Sequence, residues 1–492
     1  MERSSGILLH ISSLPSPWGI GTLGQSARDF VDFLSAAGQR YWQLLPLSPT
    51  GYGDSPYQSA SSFGGNPYFI DPQELIDTGL LSPQELEGSW GADPASVDYG
   101  LLWQRRLSLL RTAFLRSDPK EPTFLEFCRS EALWLEDYSL FMALKAHFHG
   151  KPWMEWDTDL RLHLPAALTR IQKELEEEIS FHKWLQFLFF RQWDTLHTYA
   201  ADHGISIIGD LPIYVPMDSV EVWSHPELFQ LTAQRTPRVV AGCPPDGFNP
   251  DGQYWGNPIY DWERMAQNGY SWWVRRAGAA ARFFDVVRID HFRGIESYWA
   301  IPAEHETARD GKWIKGPGLA LIEAIRQALP QTDFIAEDLG YLTPEVWQLL
   351  DDSGLPGMKV LEFAFDSDPE NEYLPHRYPT DHCICYTGTH DNQTLRQWQE
   401  ELTPSVCSFA REYMKLLPGE DLCEGLLQLG MSSRANLFMT QMQDWLDLGS
   451  EARMNEPGLR TPQNWCWRLL PDAATGTLAN RIRTMTEKFD RL

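Results

Sequence analysis

Runs of consecutive apolar residues, bounded by Gly, Pro and acids, punctuate the chain and predict short strands covered on both faces. Residues 6–11 (Gly-Ile-Leu-Leu-His-Ile) make the first such strand and 40–47 the second. Between them Phe30, Phe33, Leu34 and Ala37 share one face of a helix over 26–37, ended by Gly38. The next strand is 205–211 (Ile-Ser-Ile-Ile-Gly-Asp-Leu), which starts 205 − 47 = 158 residues later. A βα unit in a barrel takes about 31 residues, so a large piece is inserted here. Its apolar residues recur at i, i+3 and i+4 over 101–116, 123–149 and 165–199, which predicts helices. Alternation then resumes with strand 284–290, helix 319–329 stopped by Pro330, and strands 334–339, 358–363 and 383–387. This order predicts an α/β fold, a (β/α)8 barrel begun over 1–72, interrupted by a mainly helical insertion over 73–200 and completed over 201–492. No internal repeat and no low-complexity segment is present.

The 492 residues include 41 Lys and Arg against 67 Asp and Glu, a formal charge of −26, which excludes nucleic-acid binding by bulk charge. Seven Cys (Cys128, Cys243, Cys383, Cys385, Cys407, Cys423 and Cys466) form no C-x-x-C pair, which predicts reduced thiols in a cytoplasmic protein. No apolar stretch approaches the ~18 residues of a membrane span, so a soluble, unexported chain without a membrane partner is expected. The outlying number is 21 Trp. Trp18, Trp223 and Trp255 lie among Gly, Pro and Asp in predicted loops, where a flat apolar face at a surface suits sugar rings.

Gly19, Gly21 and Gly24 satisfy G-x-G-x-x-G before a helix, yet the strand ends eight residues too early and the position of the ribose-binding acid falls near Leu44. A dinucleotide site is therefore not expected. The stretch 246–253 superficially resembles a calcium loop, but Phe248 and Pro250 occupy ligand positions. More informative are acids at strand ends: Asp210, Asp290, Glu337 with Asp338, and Asp391. In a barrel all would converge on the C-terminal face, whereas one such acid alone is commonly a turn former or helix cap. Arg288 and Asp290 are two apart on a strand and share a face, and a guanidinium keeps a neighbouring carboxylate ionised, which suits Asp290 to nucleophilic attack. Glycosidic cleavage needs a second, protonated carboxyl, and spacing leaves Glu337 and Asp338 both open. His291 and His390 flank two of the acids and suit hydrogen bonds to sugar hydroxyls. A competing reading takes His10, His291, His390 and the acids as metal ligands, but no H-x-H or H-E-x-x-H element supports it. Residues 242–257 are too rich in Pro and Gly for a regular element and read as an aromatic active-face loop. Tyr57 is similarly placed, as a groove or packing residue.

In order and spacing, Gly6-Ile-Leu-Leu-His-Ile-Ser-Ser-Leu-Pro, Ser55-Pro-Tyr-Gln, Pro244-Pro-Asp with Gln253-Tyr-Trp-Gly, Arg288-Ile-Asp-His-Phe-Arg-Gly, Ile335-Ala-Glu-Asp-Leu-Gly, Met358-Lys-Val-Leu, Tyr386-Thr-Gly-Thr-His-Asp-Asn and Asn464-Trp together resemble the 4-α-glucanotransferases, or amylomaltases. The resemblance implies an α-amylase-clan barrel with inserted subdomains and no trailing β-sandwich. It implies Asp290 as nucleophile, Glu337 as acid/base and Asp391 as transition-state stabiliser. It also implies Asp210, Arg288, His291 and His390 as substrate contacts, and Tyr57, Gln253, Trp255, Asp366 and Asn464 along the glucan groove. Gln393 and Gln397 depart from the acid and the Gly that many relatives carry there. The activity implied is transfer of α-1,4-glucan segments from a maltooligosaccharide or starch-type donor to an acceptor glucan or glucose, without cofactor or metal. A retaining α-glucan hydrolase and a non-catalytic glucan binder are the alternatives.

Overall fold

The apolar runs assemble into a ring of eight parallel strands. The computed structural model describes residues 2–51, 53–245, 250–459 and 461–492. Among the described residues twelve strands run in chain order: β1 (Ser4–Leu8), β2 (Tyr41–Gln43), β3 (Ser206–Leu211), β4 (Val239–Cys243), β5 (Gln253–Pro258), β6 (Val286–Ile289), β7 (Ser297–Pro302), β8 (Lys312–Lys315), β9 (Asp333–Ala336), β10 (Gly357–Val360), β11 (Cys383–Tyr386) and β12 (Leu437–Gln441). The parallel sheet has the order β10-β11-β12-β1-β2-β3-β6-β9. Its two ends meet where the Ala336 N–H donates to the Pro356 carbonyl (3.0 Å) and the Asp338 carboxylate accepts from the Met358 N–H (2.6 Å). The (β/α)8 architecture expected from the alternation is thus the observed one.

Strand alternation sorts side chains between lumen and outside. Ile208, Val286, Ile335, Met358, Val360, Ile384, Tyr386, Leu437 and Met439 pack together as an apolar plug inside the ring. Two residues further along the same strands stand Asp210, Arg288 and Glu337, so the period of two that buries the plug also raises these charges above it. The odd-numbered partners Ile207, Val287 and Ile289 face the surrounding helices.

Several expectations are corrected. The eighth strand, β12, was not foreseen, because Leu437-Phe-Met-Thr-Gln is short and half polar at its end. Residues 242–257 are not all loop: β4 and β5 pair antiparallel, and with β7 and β8 form a second sheet of order β5-β4-β7-β8. Residues 246–249, where the calcium-loop-like sequence begins, lie outside the described residues. Predicted helix 123–149 is two, Pro122–Ser130 and Ala132–His147, and 165–199 is Pro165–Glu174 and Glu176–Asp202. The breaks fall at Glu131 (φ −97°, ψ 5°) and Leu175 (φ −103°, ψ 20°), across which apolar spacing continues and so gives no warning. Trp223 is no surface platform; it is fully buried against Phe141, Trp156 and His163. After β12 the described residues hold only helices and one isolated bridge, Ser96 with Trp467.

The glycine triplet serves close packing. A side-chain carbon at Gly21 would lie 1.7 Å from the Ile11 carbonyl oxygen, and one at Gly24 would lie 1.2 Å from an Asp71 carboxylate oxygen. Asp71 thus occupies the start of helix Gln25–Ala36, where it also accepts from the Thr22 hydroxyl.

Candidate active site

Asp210 and Arg288 are direct neighbours in the β3/β6 register, and one Arg288 Nη lies 2.5 and 2.6 Å from the two Asp210 oxygens. The same nitrogen is 3.2 Å from Asp290 Oδ1. Arg288 therefore serves two carboxylates and holds the buried Asp210 more tightly than Asp290. Tyr57, from the loop after β2, completes the knot: its hydroxyl donates to Asp210 Oδ2 (2.5 Å) and its ring stacks on His390 at 5.2 Å. Tyr57 is thus tied to this cluster by its hydroxyl as well as by its ring.

Glu337 follows β9 and is gripped by backbone donors, His291 N–H to Oε2 (2.6 Å) and Leu339 N–H to Oε1 (3.1 Å). Aiming the first requires His291 at φ 49°, a left-handed conformation that costs a non-glycine residue about 1–3 kcal/mol and clusters at functional sites. Asp338 points away and closes the barrel seam. That geometry separates the adjacent acids, which spacing alone left equivalent.

Burial at the cleft floor pushes the Glu337 carboxyl up to about 8, with the Arg288 charge opposing and the negative charge of Asp290 adding to the rise. Asp290 is raised to about 7 by burial, with Arg288 opposing and Asp210 and Asp391 adding. Asp290 keeps 27% of its side chain in solvent and lies 3.2 Å from Arg288, both of which favour its ionised form against the rise that burial imposes. Asp391, after β11, accepts from Asn455 Nδ2 (2.6 Å) and stands 3.3 Å from His390 Nε2. Burial lowers the His390 and His291 pKa values, the latter to about 3, so both rings are neutral donors or acceptors. Among the described residues no three His, Cys, Asp or Glu side chains gather as metal ligands.

The result is two carboxyls, Asp290 and Glu337, both raised by burial, with the charge of Asp391 acting on Asp290, all three just beyond strands of one barrel. The sequence profile described as 4-alpha-glucanotransferase matches residues 9–473. The chain belongs to the 4-alpha-glucanotransferase family. It is similar to the 4-alpha-glucanotransferases of Thermus thermophilus (48% identity, 100% of both chains) and Clostridium butyricum (45% identity, 98% of this chain, 100% of that one). It also superposes on the amylomaltase of Streptococcus agalactiae, solved in complex with acarbose, with TM-score 0.97, 40% identity and full coverage of both chains.

The remaining residues that the 4-alpha-glucanotransferase resemblance singled out divide in two. Gln253 and Trp255 lie on β5, with the Trp255 indole N–H donating to Gln253 Oε1 (3.1 Å) and its ring edge-on to His291 at 4.8 Å. These join the central cluster. Asp366 lies on an exposed loop after β10 and is bonded within it, to Asp368 N–H and Asn371 Nδ2. Asn464 spends its whole amide on its own loop, accepting from Glu456 N–H and the Thr461 hydroxyl and donating to the Glu456 and Leu459 carbonyls. It shapes the loop that presents the next residue, Trp465, whose ring meets Tyr57 and His390 at 5.9 Å each. Trp465, Asn455 and Arg453, which donates to the Asp391 carbonyl (3.0 Å), were missed by sequence reasoning. They lie far from the strand-end acids, and no spacing marks them.

Proposed function

We propose that this member of the 4-alpha-glucanotransferase family transfers α-1,4-glucan segments by a retaining double displacement, with Asp290, Glu337 and Asp391 as the acting groups. Asp290 attacks the anomeric carbon while Glu337 gives its proton to the departing glycosidic oxygen, which leaves as the 4-hydroxyl of the released chain. A covalent glucosyl-enzyme and an ionised Glu337 result. The acceptor's 4-hydroxyl then passes its proton to Glu337 and attacks the same carbon, expelling Asp290 with net retention. Asp391, fixed by Asn455 and His390, binds sugar hydroxyls more tightly as the ring flattens. Arg288 stabilises the charge that Asp290 carries before attack and after release. Asp210 holds that guanidinium and is itself held by the Tyr57 hydroxyl, and Trp255, Gln253, His291, Asp366 and Asn464 line or shape the groove. No step calls for a cofactor or metal.

The observation that carries this reading is the placement of three carboxyl groups just after strands of one barrel, Asp290 bonded to Arg288, Glu337 held by the His291 and Leu339 N–H groups, and Asp391 held by Asn455. Glucose and maltooligosaccharides serve as acceptors in this scheme. The seven cysteines, which form no C-x-x-C pair, and the net charge of −26 support a cytoplasmic enzyme without nucleic-acid partners. Among the described residues no helix is long and apolar enough to cross a membrane.

Incubation with maltotriose tests the transfer step. Transfer breaks one glycosidic bond for each one made, so glucose and longer oligomers accumulate while the number of reducing ends stays constant. A steady rise in reducing ends refutes transfer in favour of hydrolysis, and unaltered maltotriose refutes both.

A further inference from the structure

Arg293 closes the motif that begins at Arg288, and the mechanism above leaves it without work. It is 4% exposed, three residues beyond Asp290, and its guanidinium makes three unlike contacts. One nitrogen donates to the Tyr341 carbonyl, a second to the Ser297 hydroxyl (3.2 Å), and the flat cation lies 3.8 Å from the centroid of the Trp313 ring. Tyr341 follows Glu337 by four residues, a reach of at most about 14 Å. Trp313 lies on β8, the edge of the antiparallel sheet whose opposite edge, β5, carries Trp255. Trp299 on β7 meets Trp313 at 5.2 Å, and its own indole is anchored by donation to the Ala308 carbonyl. A buried cation thus holds the ring of Trp313 and the backbone of Tyr341, two aromatic residues that stay open to solvent at 39% and 74% exposure.

We infer that Trp313 and Tyr341, set by Arg293, form a remote stacking platform for an α-1,4-glucan chain, engaging glucosyl units that lie beyond those at Asp290 and Glu337. This rests on the transferase reading and extends it to chain length. Two properties argue for a sugar chain as occupant. The Trp313 ring, already oriented by Arg293 and Trp299, loses little freedom on stacking against a glucosyl ring, and the exposed Tyr341 ring offers a second apolar face. Arg293 and Tyr341 also lie three and four residues beyond Asp290 and Glu337, so the platform borders the segments that carry the two central carboxyls. Lys312 and Lys315 flank the edge strand, an arrangement that guards against pairing with another strand. The consequence is a preference for long chains that a trisaccharide, too short to span cleft and platform together, does not sense.

The test compares Tyr341→Ala and the double variant Trp313→Ala/Tyr341→Ala with wild type, measuring kcat/KM for bond cleavage on maltotriose and on long-chain amylose. The expected result is a loss on amylose about tenfold larger than that on maltotriose, carried mainly by KM. Equal losses on the two substrates, or none on either, overturn the platform. Tyr341→Ala alone guards against misfolding, since its ring is largely exposed. A shift in sedimentation with unchanged chain-length preference also overturns it, and makes this edge a contact between copies. Failure of the transferase reading shows separately, as rising reducing ends with wild-type enzyme, and the substrate ratio is read from bond cleavage in either case.

Discussion

Replacing Glu337 by Gln separates the proton from the side chain that carries it. The wild-type carboxyl is raised from 4.5 to about 8, so between those values the folded chain binds a proton that the unfolded chain has released. Stability contributed by that proton is fully present below pH 4.5 and is lost as the pH rises through 8. The loss runs at about 1.4 kcal/mol per pH unit, with a ceiling of about 5 kcal/mol over the whole interval and about 3 kcal/mol between pH 6 and 8. A glutamine has no proton to lose. It also removes the negative neighbour that helps raise Asp290, so the fall due to Asp290 shrinks as well. Urea unfolding of both proteins at pH 6 and pH 9 measures the difference, and wild type should lose about 3 kcal/mol more than Glu337→Gln. The same variant should turn over about 10²- to 10⁴-fold more slowly, and the wild-type kcat/KM should decline above about pH 8 as the acid is lost. Parallel loss of stability in the two proteins would refute the assignment of that proton to Glu337.

Asp290→Ala and Asp391→Ala should each cut turnover by about 10³-fold or more while the protein still folds, because both groups stand above the apolar plug and not within it; near wild-type rates in either variant would remove that residue from the mechanism. Asp338→Asn retains an acceptor for the Met358 N–H and should slow the reaction far less than Glu337→Gln, while Asp338→Ala should lower stability by about 1–3 kcal/mol, read from denaturant midpoints. Trp255→Ala and Tyr57→Ala should raise the donor KM and the hydrolysed share of product, and Tyr57→Phe, which loses only the bond to Asp210, should isolate the hydroxyl's part; unchanged product partition would reduce both rings to packing.

The barrel was legible because buried parallel strands leave continuous apolar runs, and the acids were legible because they end those runs. The face each acid takes was not. A strand covered on both sides carries no polar alternation, so Glu337 and Asp338 look alike until Ile335 is known to point inward. The antiparallel sheet escaped notice because β8 is exposed along its whole length and β5 carries Gly and Asn, neither of which signals a strand. Asn455 and Arg453 grip Asp391 from 64 and 62 residues away, a relation made by chain return and invisible to local pattern.

Seven of the eight interfaces in the ring are regular ladders, whereas the one between β9 and β10 depends on a single backbone bond and a side-chain carboxylate. Heat should part the ring there first, baring two strand margins at once. Each margin is a template for pairing with a like margin on another molecule, so loss of activity on heating would proceed by association rather than by simple uncoiling. Its rate would then rise with protein concentration.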